Sequence, residues 1–311
     1  MAMPRARLGA ALVVAAAILV AGGCSPPGER PPPPKDPRRP VITITSFDFP
    51  ESETLAELYG QALRRQGYPV EVVSRLGPRE IVEPALEQGR VDLVPGYLGS
   101  GLNFLFEQQR VATADPRATH ARLEQALTSR GLSVLAFAPA EDRNGFVVTG
   151  DLARHRKLER ISDLAPIARQ LTFGGPPECP GRPLCLKGLH DVYGLAFARF
   201  EAMASRTVTA DALEAGEIDV GMLETTDGNL ADRDLVQLKD DRQLQPAENI
   251  APIMRNQTIA AYGPTLIHLI NAVTAQLNTR DLIHMNQQVE LQGAKPATAA
   301  ADWLLSHPVN R

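Results

Sequence analysis

Very little of what enzymes and metalloproteins need is present in this chain. Only three cysteines occur in 311 residues. The six histidines (His120, His155, His190, His268, His284 and His307) are scattered without the spacing of a zinc site. There is no P-loop, no G-x-G-x-x-G and no H-E-x-x-H. The serine of Gly96-Tyr97-Leu98-Gly99-Ser100-Gly101 lacks the G-x-S-x-G frame of a nucleophile elbow. Asp240 and Asp241 are neighbours in a charged run rather than an opposed catalytic pair. No enzyme, no cofactor and no metal centre is therefore expected. Basic residues are also not in excess: the formal charge is −4, and about −8 once two leader arginines and a tether of +2 are set aside. Nucleic acid needs clustered basic side chains, so it is disfavoured as a partner. After the N-terminus no long apolar run remains, and nothing else is expected to span a membrane.

The N-terminus is a targeting device and is excluded from fold reasoning. Arg5 and Arg7 precede the apolar run Leu8 to Val20, and Ala21-Gly22-Gly23 lead to Cys24. A cysteine directly after small residues resembles the lipobox of bacterial lipoproteins, although Ala21 stands where that pattern favours leucine. Residues 1–23 then form a signal peptide and Cys24 a lipid anchor; the other reading is an ordinary secretory leader with an incidental cysteine. Residues 26 to 40 hold eight prolines in fifteen. Such a segment cannot build a core and favours extended polyproline II, at about 3.1 Å per residue. A tether over 24–40 is expected, with a PxxP recognition ligand as the sharper alternative. The remaining pair, Cys179 and Cys185, reads as a disulfide in an oxidising compartment. A metal site there would need further ligands, and the loop contains no histidine.

What is present is a repeat. Ala85-Leu86-Glu87-Gln88-Gly89-Arg90-Val91-Asp92 is echoed by Ala212-Leu213-Glu214-Ala215-Gly216-Glu217-Ile218-Asp219. Each copy reads as a helix end, a glycine stop and a short apolar strand. Each then enters a polar loop, Tyr97 to Ser100 in one case and Glu224 to Asp227 in the other. Ligands of open α/β sheets sit beyond the carboxyl ends of strands. Two matching strand ends imply two similar lobes facing one cleft.

The periodicity supports an α/β class, with strands predicted at 41–45, 69–74, 91–94, 133–138 and 145–149. Helices are predicted at 52–66 and 80–88. A short one begins at Ile161 with Ser162 as its cap, and others run over 265–277, 281–290 and 296–306. Phe173-Gly174-Gly175-Pro176-Pro177 reads as a break into loop. The chain is expected to cross between lobes twice, so that 41–143 and 250–311 form lobe I and 144–249 lobe II.

Six stretches, in order, resemble the glycine betaine/choline/carnitine-binding proteins of osmoprotectant ABC importers. They are Ser46-Phe47-Asp48-Phe49-Pro50-Glu51-Ser52, Leu76-Gly77-Pro78-Arg79-Glu80 and Val91 to Ser100, then Gly188 to Leu195, Thr225-Thr226-Asp227-Gly228 and Leu238-Lys239-Asp240-Asp241. The resemblance implies a type II periplasmic-binding-protein clamshell without catalysis. It implies a monomer outside the cytoplasmic membrane of a bacterium, capturing a small solute for permease subunits. A quaternary ammonium has no N–H donor and is held by aromatic faces. In the family the cage is largely tyrosine, and Tyr97 and Tyr193 fall on cage positions. Ser100 falls on a hydroxyl position, Arg182 on that of a carboxylate-binding arginine, and Thr225 in the second lobe's loop. Core packing for Tyr193 and solvation for Arg182 are the plain alternatives.

Departures from the family pattern are Phe47 in place of a lysine, and Asn144 and Glu224 in place of cage tyrosines. A carboxylate at Glu224 favours a cation such as choline over a zwitterion, unless it pairs internally with an arginine. A polyol, sugar-like or aromatic solute is the alternative ligand. A sensor using the same clamshell and a purely adhesive lipoprotein are the alternative roles.

Overall fold

The computed structural model describes residues 40–107 and 109–309. The expected leader, the Cys24 anchor and the tether up to residue 39 lie outside the described residues.

The chain begins with strands and helices in alternation: β1 Ile42–Phe47, α1 Pro50–Arg65, β2 Val70–Gly77, α2 Arg79–Glu87 and β3 Leu93–Tyr97. Next come α3 Leu98–Leu105, α4 Pro116–Thr128 and β4 Leu132–Val134. The sequence of α1 explains its position. Pro50 starts it, Glu51 and Glu53 face its positive end, and Arg64 and Arg65 close its negative end. Leu55, Leu58, Tyr59, Ala62 and Leu63 repeat on one face and are buried. Each of these leucines contributes roughly 1.5–3 kcal/mol by leaving water.

A second sheet follows from β5 Asn144–Thr149, α5 Gly150–Arg156, β6 Thr172–Gly175, α6 Leu186–Tyr193, β7 Arg199–Ala202, α7 Arg206–Glu214, β8 Val220–Glu224 and β9 Leu235–Leu238. The chain then returns to the first sheet as β10 Ile250–Arg255. Helices α8 Asn256–Tyr262, α9 Pro264–Gln276, α10 Thr279–Asn286 and α11 Pro296–Ser306 end the described chain.

The two sheets have one topology. Their orders are β2-β1-β3-β10-β4 and β7-β6-β8-β5-β9. In each, three strands pair in parallel, and the strand beside them runs antiparallel to both its neighbours. In lobe II the apolar residues alternate across the sheet: Phe146 and Val148 face one core, Val147 and Leu223 the other.

Two crossovers join the lobes, as expected, and they run side by side. Glu141 bridges Asn249 antiparallel, Ile250 donates its amide to Ala140 O at 3.1 Å, and Asp142 donates to Glu248 O at 3.0 Å.

The repeat is structural. Gly89 and Gly216 both end their helices at positive φ, +73° and +70°, a conformation that suits glycine. The next turn delivers β3 and β8 to equivalent places.

Several boundaries differ from the sequence reading. Thr172–Gly175 is not loop but β6, the strand between β7 and β8. A Cβ on Gly174 would stand 2.4 Å from Ile218 Cδ1, so the glycine allows close packing rather than breaking the strand. The short helix at Ile161–Leu164 is a 3₁₀ turn preceded by Arg160, and Ser162 is not its cap. Helix α10 stops at Asn286 and continues as a π turn, Gln287–Leu291.

Candidate ligand cavity between the lobes

A cavity of about 480 Å³ lies where the two lobes and both crossovers meet. The last residues of the two equivalent strands, Tyr97 of β3 and Glu224 of β8, both line it. The structure thus brings together the two strand ends that the repeat relates.

Lobe I supplies an aromatic wall. Phe47 ends β1, and Phe49 follows two residues later; their rings stack at 6.1 Å with planes 3° apart. Tyr97 lies 6.4 Å from Phe47 and 5.9 Å from Phe49, both tilted by 38°. The Arg79 guanidinium sits 4.6 Å above the Phe47 ring and is held there by Glu83 at 2.8 Å and Ser100 Oγ at 3.0 Å. Ser100 also donates its amide to Glu248 Oε2 at 3.0 Å, tying α3 to the returning crossover. Gly99 permits that approach, since a Cβ there would be 2.8 Å from Ala247 O.

Behind the wall the Tyr97 hydroxyl donates to Glu51 Oε1 at 2.8 Å, and Asn286 Nδ2 donates to Glu51 Oε2 at 2.7 Å. Asn286 Nδ2 also donates to Thr226 O of lobe II at 2.8 Å, so the tyrosine is connected to the opposite lobe. Burial raises the Glu51 carboxyl above its ordinary value despite these donors.

Lobe II and the crossovers supply the polar side. Asn144 faces Glu224 across the β5–β8 ladder and donates to Leu184 O at 3.2 Å. Gln245 Nε2 donates to the same carbonyl at 2.8 Å. Glu224 does pair with an arginine, Arg206 at 3.4 Å, yet it remains on the cavity wall. Arg206 reaches Glu290 of lobe I at 3.3 Å as well. Burial first, then Glu51 and Glu224, hold the Asp142 carboxyl well above the usual carboxylate range. Glu248 is pushed up to about 7 by burial.

Of the residues expected from sequence, Phe47, Tyr97, Ser100, Asn144 and Glu224 line the cavity. Three do not, and each has a physical reason. Tyr193 is packed in the lobe II core, and its hydroxyl bonds Asp240 while accepting the Arg242 amide at 2.7 Å. Asp240 in turn accepts the amides of Leu244 and Gln245, so Tyr193 steadies the turn that delivers Gln245. Arg182 is 59% exposed and pairs with Glu178 at 2.8 Å. The Cys179–Cys185 disulfide beside it is formed. Thr225 Oγ1 donates to Glu141 O at 2.9 Å and accepts the Arg143 amide at 3.0 Å, which braces the crossover.

Sequence reasoning missed Phe49, Arg79, Asp142, Gln245 and Glu248. Phe49 and Arg79 lay inside stretches already singled out, and Asp142 stands two residues before Asn144. Gln245 and Glu248 had no local signal, because only the register of the crossovers brings them to the wall. Among the described residues, no group of three or more metal-ligating side chains converges.

A shared cavity at equivalent strand ends of two like-wound sheets is the architecture of solute capture. Residues 40–306 match the family described as the substrate binding domain of ABC-type glycine betaine transport systems. The chain belongs to that family. It is a non-enzymatic substrate-binding component of an ABC importer, from a family that works outside the cytoplasm. It is similar to the glycine-betaine-binding protein of Pseudomonas aeruginosa, with 28% identity over 272 residues, 83% of this chain and 85% of that one. The glycine betaine-binding protein YehZ of Escherichia coli is 25% identical over 267 residues, 82% of this chain and 86% of that one. The fold matches a crystal structure of a glycine betaine/carnitine/choline ABC transporter with a TM-score of 0.79 at 24% identity, covering 86% and 98% of the two chains. No helix of the described residues is long and apolar enough to cross a membrane.

Proposed function

We propose that the cavity captures a small quaternary-ammonium solute of the choline, glycine betaine or carnitine type and that the closed protein delivers it to the permease. The observation that carries this reading is the wall of three aromatic rings, Phe47, Phe49 and Tyr97, opposed by carboxylates. Aromatic faces attract a desolvated cation by about 2 kcal/mol or more, without any hydrogen bond. Nearby carboxylates add Coulomb attraction that a zwitterion partly forfeits. The names of the Pseudomonas aeruginosa and Escherichia coli relatives, both glycine-betaine-binding proteins, support the same ligand class.

Phe47, Tyr97, Ser100, Asn144 and Glu224 are the proposed ligand-facing residues carried over from the sequence, with Phe49 added from the wall. Lobe I is taken as 41–143 with 250–311, and lobe II as 144–249. The protein acts as a monomer, anchored through a lipid on Cys24 and held off the membrane by the proline-rich tether. Cys24→Ala is expected to release it from the membrane fraction.

The test of the ligand class is calorimetric titration of the ligand-free protein with glycine betaine, choline, carnitine and proline betaine. Micromolar or tighter binding of at least one is expected, weakened at least tenfold by Phe47→Ala. No heat with any of the four, from folded protein, sinks the reading.

A further inference from the structure

Four carboxylates stand on the cavity wall, and three are already engaged. Asp48 pairs with Arg75 at 2.9 Å, Glu224 with Arg206 at 3.4 Å, and Glu248 accepts the Ser100 amide at 3.0 Å. Asp142 forms no ion pair among the described residues, because its neighbour Arg143 turns to Glu141 at 3.1 Å. Its Oδ1 is buried without a partner. A carboxyl on the wall of a solute cavity with no ion pair and an unsatisfied oxygen points to the solute.

We propose that Asp142 is the specificity-determining residue of this cavity: its carboxyl, free of ion pairs, meets the hydroxyl of a solute that also carries a permanent cation, so a hydroxylated quaternary amine is taken in preference to a zwitterion. The inference rests on the quaternary-amine reading above. A hydroxyl serves this carboxyl in either protonation state, donating to the anion or accepting from the acid, whereas a ligand carboxylate is received only by the acid.

The surroundings add a second consequence. Glu51 from α1, the Tyr97 hydroxyl, Glu224 from β8 and Glu248 from the returning crossover all act on or are acted on by Asp142. Arg79 and Arg143, the cations of the wall, are committed to Glu83 and Glu141. Burial and these neighbours strengthen the carboxyl's hold on its proton. A bound cation weakens that hold, so uptake of the solute is accompanied by proton release.

The experiment compares choline with ethyltrimethylammonium, which keeps the cationic head and lacks the hydroxyl, and with glycine betaine. Each is titrated calorimetrically into the wild-type protein and Asp142→Ala. In the wild type, removing the hydroxyl is expected to weaken binding roughly ten- to hundredfold, and choline is expected to bind tighter than glycine betaine. In Asp142→Ala the hydroxyl is expected to matter by less than about threefold. Choline heats measured in buffers of different ionisation enthalpy are expected to report more proton release by the wild type than by Asp142→Ala. Should the variant not fold, the wild-type ligand pair and the proton count decide the matter. An equal hydroxyl effect in both proteins, or glycine betaine bound as tightly as choline without proton release, overturns the role of Asp142 while the quaternary-amine reading stands. If none of the three binds the wild type, both fall.

Discussion

Asp92 and Asp219 perform the same operation in the two lobes. Asp92 Oδ2 accepts the Thr43 amide at 2.9 Å, and Asp219 Oδ2 accepts the Thr172 amide at 2.8 Å. In return each aspartate donates its own amide to the carbonyl of that threonine, at 2.7 Å and 2.9 Å. A helix end is thereby fastened to the first residues of the adjoining parallel strand. The two sites are not equally loaded, because Asp92 Oδ1 also holds Thr258 at 2.6 Å and Arg255 at 3.2 Å. Removing Asp92 strands a half-buried guanidinium as well as an amide. We expect Asp92→Ala to cost about 2–4 kcal/mol and Asp219→Ala about 1–2 kcal/mol. Denaturant unfolding of the two variants measures the difference, and equal costs would refute the asymmetry.

Tyr97 separates two roles in one side chain. Its ring belongs to the aromatic wall, and its hydroxyl belongs to Glu51. Tyr97→Phe keeps the ring and leaves a buried carboxylate oxygen short of a donor. Stability should fall by about 1–3 kcal/mol while solute affinity changes less than about threefold. Tyr97→Ala should weaken affinity at least tenfold. Thermal unfolding and calorimetry on the same samples distinguish the two effects.

Stability should decline as the medium turns from acid to neutral. The folded protein holds Glu248 at about 7, above the 4.5 of the free carboxyl, because burial penalises its charged form. The native state therefore binds this proton more tightly than the unfolded chain does. The resulting stabilisation is complete below about 4.5 and is lost as pH rises through about 7. Asp142 and Glu51 are shifted in the same direction. The melting temperature of ligand-free protein should fall between about pH 5 and pH 7.5, and less steeply in Glu248→Gln. A rising profile would contradict this sign.

Arg182 should be dispensable for binding. It is exposed and paired within its own loop, so Arg182→Ala should leave solute affinity within about twofold, as expected of a surface ion pair. The neighbouring disulfide joins cysteines six residues apart that are both buried in the lobe II core. Replacing both with alanine should cost about 2 kcal/mol by the loop-closure argument. Affinity at saturation should be little changed. Chemical denaturation and titration of the two variants provide the check.

Much of this was legible in the sequence wherever a local pattern carried it. The repeat around Gly89 and Gly216 announced two equivalent strand ends, and Tyr97 and Glu224 do meet at one cavity. Helices α1 and α11 were expected at 52–66 and 296–306 and run over Pro50–Arg65 and Pro296–Ser306, the first starting one proline earlier than its apolar face implied. Strand β6 was lost because glycine reads locally as a breaker, while its real cause is Ile218, forty-four residues away in the chain. Tyr193 was misplaced for a related reason. A tyrosine near a helix end gives no sign of where its hydroxyl goes, and here Asp240 claims it. Glu248 needed the pairing of two crossovers more than a hundred residues apart, which periodicity does not encode.

The aromatic wall is entirely a lobe I structure, since Phe47, Phe49 and Tyr97 all sit before the first crossover. The rings therefore brace one another without help from the sheet that carries Glu224. Substitutions around Glu224 and Arg206 should leave the aromatic wall in shape while they alter its polar counterpart.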